Sequence, residues 1–154
     1  PSVSVDCTWP AVEGPEGLEP AVRRICEEVE NAVDRDVRII VLSDRAVDHD
    51  RVAVPMLMVM GAVHHHLRRV GKRMKASMIC ETGEARDVHH IACLIGYGAS
   101  CVNPYLGFET LRELHERGTL PGDLPQAFLN YKTALESGLL KIMSKMGISV
   151  ASSY

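Results

Sequence analysis

The chain has 154 residues, 46% hydrophobic and 24% charged, with a formal net charge of −3. That is the size of one ordinary domain with enough apolar mass to bury a core. An acidic balance without a basic stripe excludes the usual footprint of a nucleic-acid binder, and the longest apolar run, residues 52–63, is broken by Pro55 and Gly61 and too short for a membrane span.

The elements follow in chain order. Residues 1–20 carry Pro10, Gly14, Pro15, Gly17 and Pro20 and are expected to form an irregular opening segment. Over residues 19–34, Val22, Ile25, Cys26, Val29 and Val33 recur at helical spacing. The β-branched run 37–42 predicts a strand buried on both faces, ending in Ser43-Asp44-Arg45. Pro55 opens a helix expected to reach Arg69 and stop at Gly71. A second cycle follows: a strand in "KASMICETG", a helix in "EARDVHHIACLIGYG", a strand in "ASCVNPYL" and a helix in "FETLRELHERG" closed by Gly118. A Pro/Gly loop over 120–125 leads to a helix over about 126–146, and "ISVASSY" is expected to add a fourth strand.

Alternating strands and helices with continuously apolar strands predict an α/β fold with a mainly parallel sheet. Four β–α units are about half of a (β/α)8 barrel, which needs ~250 residues. The chain is therefore either a small open sheet or part of a barrel-like body. In both, Ser43-Asp44-Arg45, Glu81-Thr82-Gly83 and Asn103-Pro104-Tyr105 share the carboxyl edge of the sheet, where α/β proteins place their sites.

The histidines are the other conspicuous feature. His64, His65 and His66 are consecutive and diverge by about 100° per residue around a helix, so no two face one metal ion. His89 and His90 are read the same way, without a partner four residues on, and no metal motif accompanies them. The expectation is that one histidine fills a gap with its nitrogens satisfied while the others face solvent or a neighbouring domain; the alternative is a zinc site assembled from one histidine of each helix and a carboxylate. The five cysteines (Cys7, Cys26, Cys80, Cys93, Cys101) have no C-x-x-C spacing and read as reduced thiols of a cytoplasmic protein, Asp6 and Glu13 sitting where a secretory signal would be apolar. No nucleophile motif, phosphate loop or obvious cysteine–histidine pair is present; "IGYGA" follows a helix instead of opening one. Asp44, Glu81 and Glu84 are the candidate acid–base groups of a stand-alone enzyme, and an ion-pair network with Arg45 and Arg86 explains them equally well.

Read together, "GPEGLEPAV", "LSDRAVDHDRVAVPML", "AVHHHLRRVGKR", "ETGEARDVHHIACLIGYGASCVNPYLGFETL" and "NYKTALESGLLKIMSKMGIS" resemble the central domain of the glutamate synthase large subunit over nearly the whole chain. The resemblance implies a parent enzyme that makes glutamate from glutamine and 2-oxoglutarate. In it a glutaminase domain releases ammonia, which a tunnel carries to an FMN-binding synthase domain with a 3Fe–4S cluster. The central domain would link the two, bind neither cofactor and help line the tunnel. Cys7 lies inside the central-domain pattern, and Cys93 and Cys101 do not match the cluster's cysteine triplet. Residues 1–154 are thus expected to be one domain, truncated at both ends and inactive alone, with no catalytic or metal-binding residue. The candidate tunnel or interface residues are Ser43, Asp44, Arg45, Glu81, Thr82, Asn103 and Tyr105 at the sheet edge, with Ser144 and Lys145 in "SKMGIS" as a second group. The alternatives are a small enzyme using an Asp44/Glu81 pair and a purely structural interaction module.

Overall fold

The computed structural model describes residues 1–154 except the side chain of Ser152. Strand β1 (Ser2–Asp6) leads to the short β2 (Thr8–Pro10), a 3-10 segment and helix α1 (Leu18–Asp34). Then come β3 (Ile39–Ser43), the short β4 (Arg51–Ala53), α2 (Met56–Arg69), β5 (Ser77–Glu81), α3 (Val88–Gly96), β6 (Cys101–Asn103), α4 (Tyr105–Glu116) and α5 (Leu124–Lys145). β1, β3, β5 and β6 form one parallel sheet in that spatial order, while β2 and β4 pair antiparallel beside it. The α/β class and the parallel sheet are as expected from sequence.

Spatial order equals chain order, so every crossover steps to the next strand in the same direction. Such crossovers are right-handed, which puts the helices on one face of the sheet. α1 packs on α2, α2 on α3, and α3 and α4 on α5. Under them Ile40 and Leu42 of β3 and Met78 and Cys80 of β5 are fully buried against Ile25 and Val29 of α1 and Met60, Val63 and Leu67 of α2. The alternate positions tell the opposite story. Ile39 is 42% exposed; Ser2, Ser4, Ser77 and Cys101 are exposed, and Val41 and Ile79 are half-buried. The expectation of a β3 buried on both faces is corrected: helices cover one face, and the other is open.

Two further expectations change. The irregular opening segment contains β1, which pairs with β3 from Ser2↔Ile39 to Asp6↔Ser43. Its Ser-Val-Ser-Val alternation is a strand signal that the following prolines and glycines obscure. The strand expected in "ISVASSY" does not form: residues 148–150 join no ladder, and a short 3-10 turn, Ala151–Ser153, follows. The Ile148 amide instead bonds back to the Met143 carbonyl at the end of α5, at 2.9 Å, so the chain caps the helix where a strand was expected to begin.

Helix starts are held by side chains from the loops. Asp87 accepts from the His90 amide at 3.1 Å and caps α3. Glu84 accepts from the Met56 amide at 2.8 Å at the start of α2, satisfying a donor that the helix itself leaves unpaired.

Candidate functional site

The three polar groups predicted to meet at the carboxyl edge do meet, in two layers. On the open face, the register places Asp6, Ser43, Glu81 and Asn103 side by side. Glu81 is the hub. Ser43 donates its hydroxyl to Glu81 at 2.6 Å, the Asn103 amide donates at 3.2 Å, and Arg45 pairs with it at 2.9 Å. The Arg45 guanidinium also lies 4.1 Å over the Tyr105 ring, a cation–π contact. One residue further along, the chain turns under the helices. There Asp44, only 3% exposed, accepts from the Thr82 hydroxyl at 2.5 Å and from the Gly83 amide at 3.1 Å. The Tyr105 hydroxyl lies beside Asp44.

The edge continues onto the strand that sequence reading missed. Arg51 pairs with Asp6 at 2.7 Å and donates to the Thr8 hydroxyl at 2.7 Å, while Arg24 donates to the backbone carbonyls of Asp6 and Thr8. Asp6, Arg24 and Arg51 were not among the sequence candidates, because the alternation of β1 that places Asp6 at the edge was not read. Ser144 and Lys145 do not join the edge. α5 runs alongside α3, with Gly138 against Val88 at the start of α3 and Tyr154 against Gly96 at its end. Both residues therefore lie exposed toward the opposite end of the sheet.

The protonation states of the edge follow from these contacts. Burial alone would raise the Glu81 carboxyl. The hydrogen bonds from Ser43, Arg45 and Asn103 and the guanidinium charge outweigh it and hold Glu81 below the usual carboxylate range. Its partnership with Glu81 makes Arg45 hold its proton more firmly than usual. Burial, reinforced by Asp44, pushes the Tyr105 hydroxyl up to about 12. Asp44 and Glu81 make no hydrogen bond to each other and lie in different layers, each with its own donors. Glu84 is spent on capping α2.

The histidine cluster separates as consecutive residues on a helix must. His64 is half-buried, and its Nδ1 accepts from Arg73 Nε at 3.1 Å; Arg73 in turn donates to the carbonyls of Ala76 and Gly98. Burial, then the Arg73 charge, depresses His64 and keeps its imidazole neutral. His65 is exposed, and His66 reaches back to α1, its Nε2 2.6 Å from Glu30. Among the described residues no group of three or more His, Cys, Asp or Glu side chains is placed to hold a metal ion. Cys7 and Cys80 are buried, and burial pushes both thiols up, Cys7 to about 12.

Glu30 also binds Lys72 at 2.7 Å, and Lys72 reaches Asp34 at 2.8 Å. Hydrogen bonds from Lys72 and then His66 hold the Glu30 carboxyl below its ordinary 4.5. A depressed folded-state value stabilises the fold above the ordinary value, and the contribution is lost as pH falls through the depressed one. Glu30→Gln is therefore expected to flatten the acid limb of a stability–pH profile below about 4.5. Urea midpoints across pH check this; an acid limb as steep in the variant as in the parent would refute it.

A parallel four-stranded sheet with helices on one face and a hydrogen-bonded polar rim at its carboxyl edge defines an α/β domain. The family profile described as "Glutamate synthase central domain" matches residues 1–154, and the chain belongs to that family. It is 46% identical over 155 residues to the glutamate synthase [NADPH] large chain of Azospirillum brasilense, covering 99% of this chain and 10% of that one. It is 44% identical over 153 residues to the glutamate synthase [NADH] of Schizosaccharomyces pombe, covering 98% and 7%. It is 42% identical over 164 residues to the ferredoxin-dependent glutamate synthase of Pyropia yezoensis, covering 99% and 11%. The chain thus spans about a tenth of the length of the curated relatives it matches. Among the described residues no helix is long and apolar enough to cross a membrane.

Proposed function

We propose that this chain is the non-catalytic central domain of a glutamate synthase, linking the glutaminase and FMN-binding synthase domains of a longer cytoplasmic polypeptide and bordering the path of ammonia between them. The carrying observation is the protonation chemistry of the open-face edge. Neutral ammonia is lost to the path if a group acidic near neutral pH protonates it. Glu81 is held ionised, Arg45 holds its proton firmly, and Tyr105 releases its own only near 12. Asp6 on the same face is paired with Arg51, and the other polar groups there, Ser2, Ser4, Ser77, Ser43 and Asn103, are neutral. The edge therefore offers hydrogen bonds without an available proton.

Contacts with the other domains fall on surfaces this chain leaves uncovered. They are the open sheet face and the outer sides of α4 and α5, where Leu106, Leu129 and Leu140 are exposed. Identity is similar to relatives named for NADPH, NADH and ferredoxin. That supports a domain uninvolved in choosing the electron donor. FMN and the 3Fe–4S cluster of such an enzyme belong to its other domains; the residues here provide no thiolate set for the cluster, and no step is assigned to either group.

In the full-length enzyme, Asn103→Trp and Ser4→Trp are expected to uncouple the two activities. Both place a large ring on the open face without entering the helix-covered core. Glutamine hydrolysis should then exceed glutamate formed from 2-oxoglutarate, the difference appearing as free ammonia. Full coupling in both variants, with circular dichroism unchanged, would remove the conduit role from this face.

A further inference from the structure

One contact stands outside the sheet edge. Cys93 follows His89 by four residues on α3, so both side chains rise from the same side of the helix. This corrects the reading that His89 has no partner at that spacing: its Nε2 lies 3.6 Å from the Cys93 sulfur. The pair opens into a groove of about 420 Å³ between α2 and α3, walled by Leu57, Ala85 and Leu94. The other titratable groups of the groove are committed elsewhere. Glu84 accepts from the Met56 amide, and His90 Nδ1 accepts from the Arg86 amide. From α2 the groove receives only the apolar Leu57.

The remaining thiols are placed differently. Cys7, Cys26 and Cys80 are buried and held protonated by burial. Cys101 is exposed, on the open sheet face, and among the described residues no imidazole contacts it. Cys93 is half-buried, so a small reagent reaches it while the groove walls hold the reagent in place.

We propose that His89 and Cys93 form a base-assisted thiol site, at which the chain is covalently modified by low-molecular-weight disulfides. His89 Nε2 takes the proton from the Cys93 thiol. The resulting thiolate attacks one sulfur of the small disulfide, forming a new sulfur–sulfur bond as the old one breaks. The leaving thiolate takes up the proton from the imidazole. The protein thiol is oxidised to a mixed disulfide, and half of the reagent is reduced to free thiol, so no further oxidant enters the step. The outcome places a reversible adduct between α2 and α3, away from the sheet edge.

The test uses the full-length protein, dithiodipyridine as a neutral probe, and peptide mass spectrometry to follow each cysteine separately. At neutral pH Cys93 is expected to react about tenfold faster than Cys101, a modest gain for a positioned base. His89→Gln should bring Cys93 down to the Cys101 rate and remove the imidazole-dependent step from its pH–rate profile. Cys101 reacting at its original rate, with Cys7 and Cys80 still protected, certifies that the variant is folded. A Cys93 that does not react, or one that reacts equally fast without His89, overturns the proposal.

Discussion

Asp44→Ala should be among the most damaging single changes in this chain, costing about 3 kcal/mol of stability. The carboxylate is 3% exposed and is the acceptor for the Thr82 hydroxyl and the Gly83 amide. Thr82 is itself fully buried, so removing the acceptor strands a donor where water cannot replace it. For a chain of this length the loss corresponds to a fall in Tm of about 6–12 °C. Asp44→Asn keeps one acceptor oxygen and should lose roughly half as much. Thermal unfolding of the two variants separates the cases. If Asp44→Ala were as stable as the parent, the layer beneath the open face would not be holding β3 to the β5 loop.

Gly98→Ala is expected to cost a comparable amount, about 3 kcal/mol, from two sources. Gly98 has φ +111°, which an L side chain adopts only under strain, and a Cβ there would stand 2.5 Å from His64 Nδ1. That nitrogen accepts from Arg73, and Arg73 donates to the Gly98 carbonyl at 2.8 Å. The methyl group therefore breaks a clamp joining the end of α2, the turn before β5 and the loop after α3. The two sources are separable by a cycle. In a His64→Ala background the clash vanishes but the backbone strain stays, so Gly98→Ala should still destabilise, by less. If Gly98→Ala left stability unchanged in both backgrounds, neither source would operate.

Most element boundaries were legible because they depend on neighbours in sequence. The apolar recurrence of Val22, Ile25, Cys26, Val29 and Val33 set α1, and Pro55 and Gly71 bracketed α2. The gathering of Ser43, Glu81 and Asn103 was legible too, since residues that end neighbouring parallel strands must lie at one edge. Burial of the sheet was not. A run such as Ile39-Ile40-Val41-Leu42 is equally consistent with one covered face or two, and the sense of the crossovers decides which. The strand expected near the C-terminus failed because the Ile148 amide bonds back to the Met143 carbonyl and caps α5, a contact that β-propensity alone does not reveal.

The histidines show the same division. That the three rings of His64, His65 and His66 point in different directions followed from helix geometry alone. Their actual partners, Arg73 for His64 and Glu30 for His66, depend on α2 lying beside α1 and the loop after α3.

Family membership, the order of strands and helices, and the polar character of the carboxyl edge were thus readable from the residues. These rest on composition and on periods of two and 3.6 residues, which are local. Three things came only with the tertiary structure: the bare sheet face, the role of Glu81 as the hub that keeps the edge ionised, and the His89–Cys93 groove. Each depends on which surfaces meet across long separations in the chain, thirty-eight residues in the case of Ser43 and Glu81. Local periodicity shows that a side of a strand or helix is apolar; only packing determines what covers it.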